Sequence, residues 1–327
     1  MNTAMNSGHD PAEAFADMIC TKEITLPAYA KINLGLDTVR KREDGYHEVR
    51  MIMQNISLKD TLTLRTYETD NSSSNRGHSV DSALPDIWLH SLESDHPDVP
   101  MNEDNLIYRA IRSLRDEFHI SYKIEAILDK QIPVAAGMAG GSTDAAAAFK
   151  GMNELCGLGL TKEELCIRAV KLGADIPYCI QGGTALSEGI GEILTPLPDM
   201  PDCYILIAKP PINVSTAYVY KNLRANELPH HPDIDGMVAA IKSHNLDGII
   251  ERLENTLETV TVPEYPVISE IKACMIEYGA QGALMSGSGP TVFGIFTDEE
   301  GIRKAECEIR QRGLSEQVFI TKPISAV

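Results

Sequence analysis

Apolar and polar residues alternate along Glu23–Leu36, a stretch rich in β-forming side chains, which predicts a strand bent near Pro27. VRKREDGYHEV follows with Asp44-Gly45, a hairpin signal, and Val49–Leu58 and Thr61–Thr66 resume the two-residue period. Glu68–Asn105 is polar throughout and predicts an irregular excursion, the most mobile part of its domain. Helical spacing appears at Leu106–Phe118, and Tyr122–Leu128 reads as a strand. A glycine-rich loop then leads into an alanine-rich helix from about Ser142 to Cys156. Thr161–Leu172 is a further helix, with a capping box in Thr161 and Glu164, ended by Gly173-Ala174-Asp175-Ile176-Pro177. GGTALSEGIGEIL predicts a strand and a turn.

Pro196, Pro198 and Pro201 mark a boundary. It divides the chain into a polar tail at 1–21, with a short helix at Pro11–Met18, a domain at 22–198 and a domain at 199–327. Beyond the boundary the pattern gives strand Cys203–Ala208 and helices Asp247–Leu257 and Val267–Tyr278. Strand Ala283–Ser286, a loop SGSGP, strand Thr291–Phe296, helix Glu299–Arg312 and strand Gln317–Thr321 complete it. That order is a split, ferredoxin-like α+β arrangement. The expected fold class is therefore α+β, with a mixed N-terminal domain and a ferredoxin-like C-terminal domain.

Composition narrows the function. The formal net charge of -18 disfavours nucleic acid as a partner. No stretch approaches the roughly 20 apolar residues of a membrane span. The first residues, MNTAMNSGHDPAEAFADMIC, lack the basic and apolar regions of a secretory signal. Seven cysteines without a CxxC pair read as reduced thiols. The expectation is a cytoplasmic protein, a monomer or homodimer, and if it binds a phosphorylated small molecule its positive potential is confined to the site.

That site centres on Ile132–Phe149, IPVAAGMAGGSTDAAAAF. Glycines let a ligand approach the backbone, and a helix start offers free N–H groups and a partial positive charge. The pattern suits a phosphate, although a flexible loop capping a buried helix also accounts for it. It is neither a Walker loop nor a dinucleotide fingerprint, because GxxxxGK[ST] and GxGxxG both fail. Asp144, in the first turn, suits the helix dipole but would be repelled by a triphosphate unless Mg²⁺ bridged them. Strand periodicity places Lys31 and Asn33 on one face, with Ile32 turned to the core. Met285–Thr291, MSGSGPT, fits a tight turn when taken alone.

Together and in this order, the Lys-bearing strand, the central glycine loop and the C-terminal glycine loop resemble the GHMP kinase superfamily. PAYAKINLGL, REDGYH, NEDNLIYRA, LGADIP and EGIGEIL further resemble the branch that phosphorylates the 2-hydroxyl of a cytidine-diphosphate-linked methylerythritol, in the methylerythritol phosphate route to isoprenoids. The likeness runs from about Leu26 to Thr297. It implies the two-domain GHMP kinase fold, ATP and Mg²⁺ as cofactors, and Asp175 as the base with Lys31 beside it. Asp175 is otherwise read as an ordinary turn residue before Ile-Pro. Pro133, Val134, Ala135, Ala136, Gly137, Met138, Ala139, Gly140, Gly141, Ser142 and Thr143 would hold the phosphates, Ser142 or Thr143 lying near Mg²⁺. Asn105 and Lys130 would flank the adenosine, and Asn33 would orient the hydroxyl. Tyr46 would stack on cytosine with Tyr220 opposite, His47 would pair with the base edge, and Thr216 lies nearby. The sequence departs from the family at Ala139, where Gly is usual, and at Thr143-Asp144. Other readings are a homoserine, mevalonate or sugar kinase of the same superfamily, or a nucleotide-binding module without catalysis.

Overall fold

The computed structural model describes residues 18–68, 86–91 and 99–326. The expected helix at Pro11–Met18, most of the tail and much of the polar excursion lie outside them. Strands β1 (Cys20–Lys41) and β2 (His47–Tyr67) form one long antiparallel ribbon, joined by a turn in which Gly45 takes a φ of 89°. The ribbon exceeds the expected strand at both ends. Its irregularities lie around Lys31 and Asn33 and near the ends rather than at Pro27, which pairs in register with Thr61.

Next come β3 (Ile87–Ser91), α1 (Leu106–Phe118), β4 (Lys123–Asp129), α2 (Gly140–Leu155), α3 (Lys162–Ala169), α4 (Ile176–Gln181), β5 (Thr184–Glu188) and β6 (Ile193–Pro196). β3 corrects the reading of Glu68–Asn105 as wholly irregular: it pairs in parallel with β4. With β8 (Glu254–Asn255), these strands make a seven-stranded sheet whose main path is β3-β4-β2-β1-β8, with the β5–β6 hairpin attached to β2.

The chain then enters a four-stranded antiparallel sheet through β7 (Tyr204–Lys209). Helices α5 (Thr216–Asn222), α6 (Ile234–Lys242) and α7 (Leu246–Ile250) follow, then β8, α8 (Glu258–Glu264) and α9 (Val267–Glu277). β9 (Gly282–Met285), β10 (Val292–Phe296), α10 (Glu299–Gln311) and β11 (Gln317–Thr321) complete it, in spatial order β11-β7-β10-β9. This is the expected ferredoxin-like order. One long helix over Asp247–Leu257 does not form. α7 stops at Ile250, and Glu254-Asn255 pairs with Gly35-Leu36 of β1.

β1 is sandwiched, which sets the direction of its side chains. Ala30, Ile32 and Leu34 pack on Ile205, Ile207, Phe293 and Ile295 of the second sheet. Lys31 and Asn33 therefore point the opposite way. On that side lies α2, whose run Ala145–Ala148 is wholly buried. A Cβ on Gly151 would lie 2.7 Å from Leu64 and 2.8 Å from Leu26, so small residues let this helix sit close to the sheet. The alanine run thus serves close packing as well as helix propensity.

Candidate active site

A cleft open to solvent is lined from several elements. Lys31 and Asn33 come from β1, Tyr46 from the hairpin, Asp175 from the start of α4, and Gly287 and Ser288 from the C-terminal glycine loop. The loop from Pro133 to Ser142 forms its floor, except for Met138.

The loop's shape follows from its dihedrals. Ala135, Gly137 and Ala139 have φ of 51°, 71° and 57°. Left-handed residues at alternate positions turn neighbouring N–H groups towards one concavity, an anion-binding nest. The nest leads directly into α2, whose helical residues begin at Gly140 with Ala139 at the N-cap, so the two glycines belong to the first turn. Gly137 is required for a second reason: a Cβ there would collide with the carbonyl of Ser286, whose hydroxyl donates to Gly137 O at 3.1 Å. The two glycine loops thus support each other backbone to backbone.

An alanine at a φ of 57° is strained by about 1 kcal/mol, because its Cβ crowds the carbonyl. Ala139→Gly is therefore expected to raise stability by up to about 1 kcal/mol, less whatever the freer unfolded chain removes. Urea unfolding checks this, and a lowered midpoint would count against the strain.

Two predicted loop residues turn away. Met138 is buried in the core, and its carbonyl accepts the Lys31 N–H at 3.2 Å. Thr143 donates its hydroxyl to Tyr29 O at 2.8 Å and is buried, which leaves Ser142 as the hydroxyl of the first turn that lines the cleft. Lys130 lines the cleft but does not offer a free ammonium. It is buried between Asp60 at 2.5 Å and Asp144 at 2.7 Å. Asp60 also accepts the N–H groups of Gln131 and Ile132, at 2.6 and 2.7 Å. Burial pushes the Asp144 carboxyl well above the usual range, against the pull of Lys130, and its Oδ1 is buried without a hydrogen-bond partner. Asn105 uses its side chain to cap α1 through Ile107 N–H and to donate to Pro100 O, both at 2.8 Å.

Lys31 is only 5% exposed, yet it reaches the cleft. Its ammonium donates to Asn33 Oδ1 at 2.7 Å and to Gly137 O at 3.4 Å, so Asn33 holds the lysine. Asp175 is half-buried at the N-cap of α4, rather than at the end of the preceding helix. Pro177 suits that first turn because it lacks an N–H. Among the described residues the Asp175 carboxylate has no hydrogen bond or ion pair, and it lies more than 4 Å from Lys31. Both charges act on Cys179, one turn into α4: burial and then Asp175 push the thiol up to about 12, while Lys31 opposes them.

At the far end, Tyr46 is 61% exposed. His47 packs on Tyr220 with ring centroids 5.1 Å apart, and its Nε2 is buried without a hydrogen-bond partner among the described residues. Burial, helped by Lys41, lowers its pKa, so the ring is neutral at pH 7. Tyr46 and Tyr220 line the same cleft, and the ring of Tyr220 also contacts His47. Thr216 bonds Ser288, hydroxyl to hydroxyl, at 2.8 Å. Sequence reasoning missed Asp60, Asn55 and Ser288. A visible signal existed for Asn55, since Gln54-Asn55 interrupts an apolar strand.

Comparison with known proteins agrees with this architecture. The GHMP kinases N terminal domain matches residues 105–183, and the GHMP kinases C terminal domain matches 237–314. A 4-diphosphocytidyl-2-C-methyl-D-erythritol kinase of Lachnospira eligens is 48% identical over 301 residues, covering 92% of this chain and 98% of its own. One of Enterococcus faecalis is 41% identical over 302 residues, covering 92% and 99%. A crystal structure of 4-(cytidine 5'-diphospho)-2C-methyl-D-erythritol kinase superposes with a TM-score of 0.74 at 27% identity, covering 92% of this chain and 99% of that one. The mevalonate kinase of L. major, at 16% identity and a TM-score of 0.68, shares the fold.

Proposed function

The chain belongs to the GHMP kinases, among the 4-diphosphocytidyl-2-C-methyl-D-erythritol kinases, and from this we propose how its cleft transfers a phosphoryl group to the 2-hydroxyl of that substrate. The observation that carries the reading is the convergence of a lysine, a carboxylate without a partner and an anion nest on one cleft.

ATP supplies the phosphoryl group, and Mg²⁺ screens its charge when bound. The nest at Ala135–Ala139 and the start of α2 fit the β- and γ-phosphates. Ser142 and the orphaned Oδ1 of Asp144 are oxygen donors that fit Mg²⁺. Asp175 accepts the proton of the substrate hydroxyl. The oxygen then bonds the γ-phosphorus, the bond to the bridging oxygen breaks, and ADP leaves with that electron pair. Lys31, fixed by Asn33, offsets the negative charge that develops on the transferring group.

Tyr46 gives the cytosine a stacking face, and the unpartnered Nε2 of His47 meets its polar edge. The reading places the protein in the cytoplasm. ADP release should require the cytidylyl substrate, and equal release with homoserine, mevalonate or a free sugar would reject that specificity. His47→Ala should raise KM for the cytidylyl substrate about tenfold while KM for ATP stays put. An unchanged cytidylyl KM would remove His47 from the pocket.

A further inference from the structure

Directly opposite Lys31 in the β1–β2 register stands Asn55. Tyr29 faces Lys59 and Lys31 faces Asn55, so β1 advances two residues while β2 advances four. Within that gap β2 turns to the C-terminal segment. Ile56 bridges Pro323, Ser57 N–H donates to Lys322 O at 2.9 Å, and Ile324 N–H donates to Asn55 O at 3.0 Å. Bulges of this kind re-aim side chains beside active sites. Here side chains take over from the ladder. Asn55 Nδ2 donates to Ala30 O at 3.1 Å and more weakly to Tyr29 O at 3.4 Å. The hydroxyl of Thr143, on α2, holds the same Tyr29 carbonyl.

The other end of the Asn55 amide reaches the chain just past the end of α4, the helix that begins at Asp175. Its Oδ1 accepts Gly183 N–H at 2.9 Å, and the backbone N–H of Asn55 donates to Gly183 O at 3.1 Å. Tyr178 of α4 donates its hydroxyl to that same Gly183 carbonyl at 2.7 Å. One buried amide therefore ties the strand of Lys31 to the helix that begins at Asp175, while the glycine-loop helix is joined at Tyr29.

We propose that Asn55 is a positioning residue for the phosphoryl transfer, an amide that sets the spacing between Lys31 and Asp175. It does not line the cleft and acts through the backbones on either side of it. The inference rests on the roles given above to Lys31 and Asp175. Removing the amide frees both elements to drift, and a misplacement near 1 Å costs about 100-fold in rate.

Asn55→Ala is expected to lower kcat about 10- to 100-fold, with KM for ATP and for the cytidylyl substrate within about threefold of wild type. A purely structural role would lower the melting temperature while leaving kcat of the folded protein unchanged, so the fall in kcat at unchanged KM is the signature of positioning. Deletion of Pro323–Val327 frees the Asn55 backbone without touching its side chain and should give the same signature in weaker form. If Asn55→Ala does not fold, the deletion and Asn55→Ser are read against the same criteria. Folded variants whose kcat stays within threefold of wild type overturn the proposal. Lys31→Ala, run alongside, separates the failures: lost activity there with normal Asn55 variants overturns this inference alone, whereas retained activity there overturns the site reading and this inference with it.

Discussion

Lys31→Ala and Asp175→Asn are each expected to lower kcat by about three orders of magnitude, within the range seen when one charge-stabilising donor or one general base is removed. The two variants fail for different reasons. In the proposed mechanism, removing Lys31 leaves the nest in place but takes away the ammonium that β1 brings to the cleft. Without the Asp175 carboxylate, the hydroxyl keeps its proton when its oxygen must attack. The Asp175 variant is the cleaner test, because among the described residues its carboxylate has no hydrogen bond or ion pair to lose, and an amide of the same shape leaves nothing newly unpaired. Its melting temperature should match wild type. Lys31→Ala removes a partner from Asn33, but that amide lines the cleft, where water replaces the ammonium. Steady-state ADP release with both substrates saturating, together with a thermal melt, measures both effects. Asp175→Asn turning over within tenfold of wild type would mean that another group takes the proton.

Much of this site was legible because its parts are local. The helix Leu106–Phe118 has the bounds its spacing predicts, with Asn105 at the N-cap. The capping box at Thr161 and Glu164 forms as read. Lys31 and Asn33 share a face, because a strand's period survives tertiary packing. The glycine loop is different. Having neither a helical nor a strand period, it gave no means of knowing that Met138 and Thr143 face inward while Ser142 faces the cleft. Asp175 reads as the close of one helix but opens the next, and Pro177 at the second helical position is the start signal that says so. β3 went unread because five residues within a polar stretch offer too short an alternation. β8 is two residues long and exists only through its pairing with β1. The least legible feature is what Asn55 does, although the polar pair Gln54-Asn55 stands out in an apolar strand. The partners of Asn55 are Tyr29, Ala30, Gly183 and Ile324, which no local pattern connects.

Lys130→Met should bring the largest loss of stability, about 3–5 kcal/mol near pH 8, because it leaves two buried carboxyl groups facing each other without their shared cation. The loss should depend on pH, with a sign fixed by Asp144. Burial, reinforced by Asp60, already raises the folded pKa of Asp144 above its ordinary value, while Lys130 restrains the rise. A raised folded pKa means that the native state holds this proton more tightly than the unfolded chain does. Stability from this group is therefore greatest below about pH 3.9, the unfolded value, and declines as pH climbs through the folded one. Removing the ammonium lifts the restraint, so the decline becomes larger and extends further up the scale. The deficit of Lys130→Met should thus be smaller at pH 5.5 than at pH 8. Adding Asp144→Asn to the Lys130→Met chain replaces the titrating carboxyl with a neutral amide, and should recover part of the stability and flatten the pH dependence. Urea unfolding at the two pH values reads all three chains. A Lys130→Met protein as stable as wild type at pH 8 would show that the ammonium does not hold the two acids together. A deficit equal at both pH values would show that Asp144 does not titrate there, and the helix that begins at the nest would need another anchor.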